Sequence, residues 1–310
     1  MTTKTPSKLE KILREGHLAV TSECGPPRGS NPEHIIKKGE LIKDHVDAIN
    51  ITDNQTSVCR TCSLAVCIRL KTMGLEPVLQ MVTRDRNRIA LQSDILGAAH
   101  WDINNILCLS GDHQSFGDCS KGQNVHDLDS MQLLQTVRLM RDEGKFLGGD
   151  DIKRPPQMFA GAAANPFADP FEYRVIRLAK KIDAGVDFIQ TQCIYNMDRF
   201  KEWMKMARDE GLTEKVYIMA GVTPLKSAGM ANYMATKVAG MDIPEPVLKR
   251  IAGVSKDNAS KEGIAMCVET IAELREIEGV HGVHIMAIEW EEKVGEIVKA
   301  AGLLPRPEQS

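Results

Sequence analysis

The chain reads as a single (β/α)8 TIM barrel of the α/β class. Strand-like and helix-like stretches alternate eight times along its 310 residues. The strand-like stretches are short apolar runs without period-two alternation, as expected of parallel strands buried on both faces. No GxGxxG follows the first strand, so the opening signal of a doubly wound open sheet is missing. With nothing left over for a second unit, residues 1–310 form one barrel domain with a polar N-terminal extension at 1–16.

The first strand is His17–Glu23, broken by Gly25-Pro26-Pro27, and Glu33–Val46 has helical spacing. Asp47–Asp53 is the second strand, followed by a helix over Ser57–Met73 that Gly74 ends. Pro77–Thr83 and Asn105–Leu109 are the third and fourth strands, with helices over Asn87–Ala99 and Ser130–Asp142 after them. The second half repeats the scheme with strands Gln157–Ala163, Val186–Gln192, Val216–Val222 and Val283–Ala287. Its helices are Phe171–Ile182, Met197–Glu210, Ala228–Val238, Pro246–Val254, Lys261–Glu278 and Glu292–Ala301.

Composition excludes several classes. The chain is 43% hydrophobic and 26% charged, with a net charge of −3, which offers no electrostatic footprint for nucleic acid. Met1–Gly16 lacks the apolar core of a signal peptide, and no apolar run reaches the length of a membrane span. The cytoplasm is therefore the default location, and the eight cysteines read as thiols rather than a disulfide framework. Cys59-x-x-Cys62 with Cys67 suggests a metal, but no second CxxC or nearby histidine completes four ligands. No metal site is expected, and these read as buried helix thiols.

A parallel barrel binds ligands on the loops after its strands. The strand ends offer Glu23, Thr52, Gln80 or Thr83, Asp112, Ala163 to Asn165, Gln190 and Gln192, Thr223 and Glu289. Carboxylates, amides and hydroxyls without a His/Asp cluster fit a polar organic ligand. The turn Ser110-Gly111 delivers Asp112 either to that ligand or to the cap of the next helix.

Six short stretches in the right order carry a resemblance. They are Ser22–Arg28 (a strand-end Glu followed by Pro-Pro), Ala48–Thr52, Leu109–Asp112, Gly161–Asn165, Lys180–Gln192 and His284–Glu292. Together they span Leu18 to Gly302 and resemble the methylenetetrahydrofolate reductase family, flavin-dependent barrels that reduce methylenetetrahydrofolate to methyltetrahydrofolate. The resemblance implies catalytic roles for Glu23 and Asp112. Glu23 would be the general acid that protonates N10 of the folate, and Asp112 would stabilise the cationic iminium. Gln192, Asp112 and Glu289 would bind the tetrahydrofolate substrate. Thr52, Gln80, Gly111, Asp112, Gly161, Ala162, Ala163 and Lys181 would hold the flavin, with FMN favoured over FAD because the short loops leave no obvious home for an adenosine. The missing Cβ of Gly161 would permit its close approach.

The chain also departs from the family. Cys24-Gly25, Cys193-Ile194 and the vicinity of Ala228 stand where many members have aromatics, and Gln80 replaces a flavin-site histidine. Phe171, Tyr195 and Trp290 are the rings near the mapped loops, and fewer stacking surfaces argue against direct nicotinamide use. Ending at Ser310, the chain resembles the short form of acetogenic and related anaerobic bacteria. That form implies an oligomer with a cysteine-rich iron-sulfur or zinc subunit. Two other classes compete: a pterin-binding or zinc-thiolate methyltransferase barrel, and a non-catalytic barrel subunit.

Overall fold

A computed structural model describes residues 4–119 and 121–307. Its strands are β1 (Ala19–Cys24), β2 (Ala48–Ile51), β3 (Pro77–Val82), β4 (Asn105–Leu109), β5 (Phe159–Ala164), β6 (Phe188–Cys193), β7 (Tyr217–Val222) and β8 (Val280–Ile285). They close in sequence order into one barrel, all neighbours parallel, with Val20 of β1 opposite Val283 of β8. The expected eight-stranded barrel is the fold.

The helices are α1 (Lys8–Arg14), α2 (Glu33–Ile42), α3 (Ser63–Thr72), α4 (Arg88–His100), α5 (Ser130–Arg138), α6 (Tyr173–Asp183), α7 (Met197–Asp209), α8 (Ala228–Lys237), α9 (Glu245–Ala252), α10 (Lys256–Arg275) and α11 (Val294–Ala300). Outward strand residues such as Val20, Ile49, Ile106, Ile189 and Val283 belong to one core cluster with apolar helix residues such as Ile42, Leu70, Leu178 and Ile297.

Inside the barrel, alternate residues of each strand climb from floor to mouth. The floor joins Ala19, Ala48, Val78, Leu107, Phe159, Phe188 and Met219 to Leu9, Ile12 and Leu13 of α1. The sequence reading placed only a polar extension here. Ser7 caps α1 by accepting from Glu10 N, and its Oγ donates to Asn105 Oδ1 at 2.5 Å, so the segment folds as a plug in the barrel's lower opening.

Gly161 faces this floor. A Cβ there would lie 2.2 Å from the Phe188 ring, which stacks on Phe159 at 5.0 Å. The glycine makes room for an aromatic pair rather than for a ligand, which corrects the reason given for it above. Gly161→Ala is expected to cost about 1–3 kcal/mol through overpacking, read as a lower urea midpoint with unchanged slope.

The largest departure from the expected elements is the segment read as a helix from Ser57. Thr56 and Ser57 take positive φ, and the helix begins only at Ser63. A Cβ on Gly117 would lie 1.8 Å from Ser57 O, so two mouth loops meet backbone to backbone there. Cys59 and Cys62 consequently sit exposed on a loop, and Cys67 alone of the three is a buried helix thiol. Strand β8 starts three residues earlier than expected and ends at Ile285, which leaves Met286 to line the mouth.

Candidate active site

Above the floor the barrel interior turns polar. Asn50 Nδ2 donates to Gln190 Oε1 at 2.7 Å, and Gln190 Nε2 donates back to Asn50 Oδ1 at 3.1 Å. Gln190 Nε2 also reaches Thr21 Oγ1 at 3.4 Å, and that hydroxyl lies 2.8 Å from His284 Nδ1. Burial pushes the imidazole down to about 3, so the ring is neutral at physiological pH. Its Nε2 stands 4.0 Å from Glu23 Oε2.

Glu23 is the top of this ladder. Burial raises its carboxyl to about 7, a hydrogen bond from Gln80 Nε2 at 3.3 Å opposes the rise, and the charge of Glu291 adds to it. Glu291 is itself paired with the Lys38 ammonium at 2.6 Å behind β1. A carboxyl that titrates near neutrality at the end of a barrel strand can both donate and accept a proton under working conditions.

Two cavities share Glu23, Gln80 and Leu109. The larger, about 480 Å³, runs under β5 and β6 past Ala163, Gln190 and Gln192 to Arg174, Arg177 and Lys181 of α6. The smaller, about 320 Å³, is walled by Thr52, Asp53, Arg84, Gly111 and Asp112 from the loops after β2, β3 and β4. Arg84 assembles that wall. Its buried guanidinium donates to Asp112 O at 2.9 Å, to Asn54 O at 3.2 Å and to both oxygens of Asp85 at 2.7 Å. Gly111 takes φ 83°, and a Cβ there would lie 3.1 Å from Arg84 Nη1, so the turn leaves room for that guanidinium.

Most of the residues singled out in the sequence converge here. Glu23, Gln80, Gln192, Ala163 and Lys181 line the larger cavity, and Thr52, Gly111 and Asp112 line the smaller. Gly161 and Ala162 line neither; Ala162 is wholly buried in the layer outside the sheet. Glu289 also stays apart, because its backbone turns at φ 51° and its carboxylate meets Lys38 at 3.3 Å. Asp112 does not cap a helix, since a short 3-10 turn capped by His113 follows it. Sequence reasoning passed over His284, Arg84, Arg174 and Arg177. His284 was visible within a matched stretch, but its inward direction depends on the register of β8. The two arginines precede Lys181 by seven and four positions, a helical spacing that puts them on its face.

Two buried atoms test the site for a polar organic cofactor. Thr52 Oγ1 in the smaller cavity and Trp203 Nε1 beside the larger have no hydrogen-bond partner among the described residues. Buried polar groups are normally satisfied, so both fit contacts with a bound molecule. Among the described residues no group of three or more His, Cys, Asp or Glu is placed to hold a metal ion. No helix among them is long and apolar enough to cross a membrane.

Fold and site together define a parallel barrel with a cleft at its strand ends, built around one protonatable carboxyl. Residues 8–302 match the methylenetetrahydrofolate reductase family, and the chain belongs to it. It is 22% identical over 312 residues to a probable methylenetetrahydrofolate reductase (NADPH) of Caenorhabditis elegans, covering 96% of this chain and 44% of that one. It is 27% identical over 222 residues to methylenetetrahydrofolate reductase 2 of Schizosaccharomyces pombe, covering 67% and 33%. The chain thus spans less than half the length of these relatives. A Clostridium thermocellum protein described as binding two copies of 5-methyl-5,6,7,8-tetrahydrofolic acid shares the fold. Its TM-score is 0.64 at 14% identity, with 96% of this chain and 99% of that one covered.

Proposed function

We propose that the chain carries out flavin-dependent reduction of 5,10-methylenetetrahydrofolate to 5-methyltetrahydrofolate. The observation that carries this reading is Glu23, a buried carboxyl near its midpoint at pH 7, placed where both cavities meet. Opening the imidazolidine ring needs a proton on N10, and Glu23 holds one below pH 7. Asp112 leaves its carboxylate without a hydrogen bond among the described residues, available to offset the iminium cation. Gln192 would meet the pterin edge. Its Oε1 accepts from Cys193 N at 3.0 Å, which fixes the amide and leaves its NH2 to donate.

A bound flavin would supply the hydride. Thr52, Gln80, Gly111 and Asp112 would hold it in the smaller cavity, and Ala163 and Lys181 in the larger. FMN is the favoured form. The electrons would come from a cysteine-rich iron-sulfur or zinc subunit assembled with this chain. That preference rests on the rings. Tyr195 donates to Thr223 O at 3.0 Å and lines a separate 40 Å³ void. Phe171 lies under Arg199 at 4.8 Å, and Trp290 under Lys226 at 5.5 Å. None of the three lines either cavity, and Trp203, which lines the larger one, is wholly buried, which offers a nicotinamide little to stack on.

The purified chain should be yellow and release FMN on acid treatment. Anaerobic stopped-flow should show no flavin bleaching with NADH, but bleaching once the co-purifying subunit is added. A colourless protein that takes up no flavin ends the reading, and bleaching by NADH at the turnover rate ends the partner assignment.

A further inference from the structure

The segment Cys59-Arg60-Thr61-Cys62 takes no part in the chemistry above, yet it is fastened to the rim of the site. Arg60 N donates to Asn54 Oδ1 at 3.0 Å, and Asn54 walls the smaller cavity. Arg60 Nη1 donates to Pro26 O at 3.0 Å, Thr61 N to Pro27 O at 2.9 Å and Thr61 Oγ1 to Gly29 O at 2.5 Å. Pro26, Pro27 and Gly29 belong to the loop that leaves β1 just after Glu23. The two middle residues of the segment therefore tie the loops after β1 and β2 together.

The two flanking thiols are exposed, although cysteine is among the most buried residue types. Five of the other six cysteines are buried, and Cys119, on the loop after β4, is exposed. Neither Cys59 nor Cys62 makes a hydrogen bond through its sulfur among the described residues. Cys62 is the N-cap of α3 without a side-chain cap bond, and the charge of Arg86 reaches it. An exposed thiol at a helix N-terminus beside a guanidinium is a common setting for exchange with disulfides.

We propose that Cys59 and Cys62 are a reversible dithiol–disulfide pair, and that oxidising it releases Arg60 and Thr61 from the loop after Glu23 and slows turnover. The oxidant is a low-molecular-weight disulfide such as oxidised glutathione. One cysteine thiolate attacks it, forming a mixed disulfide and expelling a glutathione thiolate that takes up a proton. The second cysteine thiolate attacks the protein sulfur of the mixed disulfide, closing the Cys59–Cys62 bond and expelling the second glutathione. Two electrons and two protons thus pass from the pair to the oxidant. A bridge needs Cα atoms about 4.4–6.8 Å apart. Among the described residues no hydrogen bond joins Cys59 to Cys62, so bridging draws the segment into a turn that its outward bonds oppose. Exposed disulfides of this kind are labile and regulatory rather than structural.

The test uses the full chain, treated with oxidised glutathione, blocked with iodoacetamide, denatured and cut with trypsin. Arg60 lies between the two cysteines, so cleavage after it yields peptides 44–60 and 61–69, which stay joined only through a bridge. The joined peptides should appear in wild type and in Cys119→Ser, vanish with dithiothreitol, and be absent from Cys59→Ser and from Cys62→Ser. Hydrogen exchange at the Arg60 and Thr61 amides should quicken by about 2- to 12-fold on oxidation, the worth of one hydrogen bond. Folate reduction should fall with the bridge, return with dithiothreitol, and not respond to oxidised glutathione in Cys59→Ser.

Peptides that stay separate, or a bridge from either of them to Cys119, overturn the pair. A bridge that forms with unchanged exchange at both amides, or with unchanged turnover, overturns the release. The effect on turnover rests on the function proposed above: a bridge that quickens exchange in a chain with no folate reductase activity in either state faults that function and leaves the pair standing.

Discussion

Glu23→Gln is expected to lower folate reduction by about 10²–10⁴-fold, the usual contribution of a positioned acid, while flavin content and the thermal midpoint stay near wild type. The amide keeps the shape, the contact with Gln80 at 3.3 Å and the neighbouring imidazole of His284, and lacks only the proton. The wild-type pH profile should agree. Burial puts the carboxyl at about 7, so its acid form is full below that pH and is lost tenfold per unit above it. The activity in the folate half-reaction should therefore descend through about pH 7, and the descent should vanish in the Gln variant. A Gln variant that reduces methylenetetrahydrofolate at near the wild-type rate removes Glu23 from the mechanism.

Asp187→Ala should produce the largest loss of stability, about 3–5 kcal/mol, as expected when one partner of a buried ion pair is deleted. Asp187 and Arg141 have side chains 4% and 5% exposed and meet at 2.6 Å. Asp187 also accepts from Ala160 N at 2.8 Å and from Lys4 Nζ, so it ties β5, the chain after α5 and the N-terminal segment together. Asp187→Asn retains an acceptor for Ala160 N and should lose less than the alanine variant. Urea denaturation of both variants decides the matter; equal midpoints for wild type and the alanine variant would show that the pair contributes nothing.

What could be read from the sequence follows from how local each signal is. Strand β4 coincides with its expected limits, because five apolar or neutral residues run straight into a Ser-Gly turn. Glu23, Asp112 and Lys181, singled out by short matched stretches at strand and helix ends, line the two cavities. The loop over 53–62 differs from the partly helical expectation, because its shape comes from Arg84 and Gly117 reaching in from the loops after β3 and β4. The pairing of Phe188 with Gly161 and the arrest of Glu289 by Lys38 were hidden for the same reason: each depends on a partner on another element. Segment 8–14 is a different case. Its Leu9, Ile12 and Leu13 have helical spacing, and the signal was masked by the charged residues between them.

The floor helix has a consequence for the order of events during synthesis. Residues 4–14 leave the ribosome before the partners they dock on, whose seats lie far along the chain: Glu76 for Lys8 N, Asn105 for Ser7 and Asp187 for Lys4. Helix α1 has only seven residues, too short to persist alone in water. Segment 4–14 therefore stays without its full set of partners until the chain before β6 has emerged, and docks as a late closing step. Nascent chains stalled before residue 187 should leave this stretch open to a protease, and chains released with β6 complete should protect it.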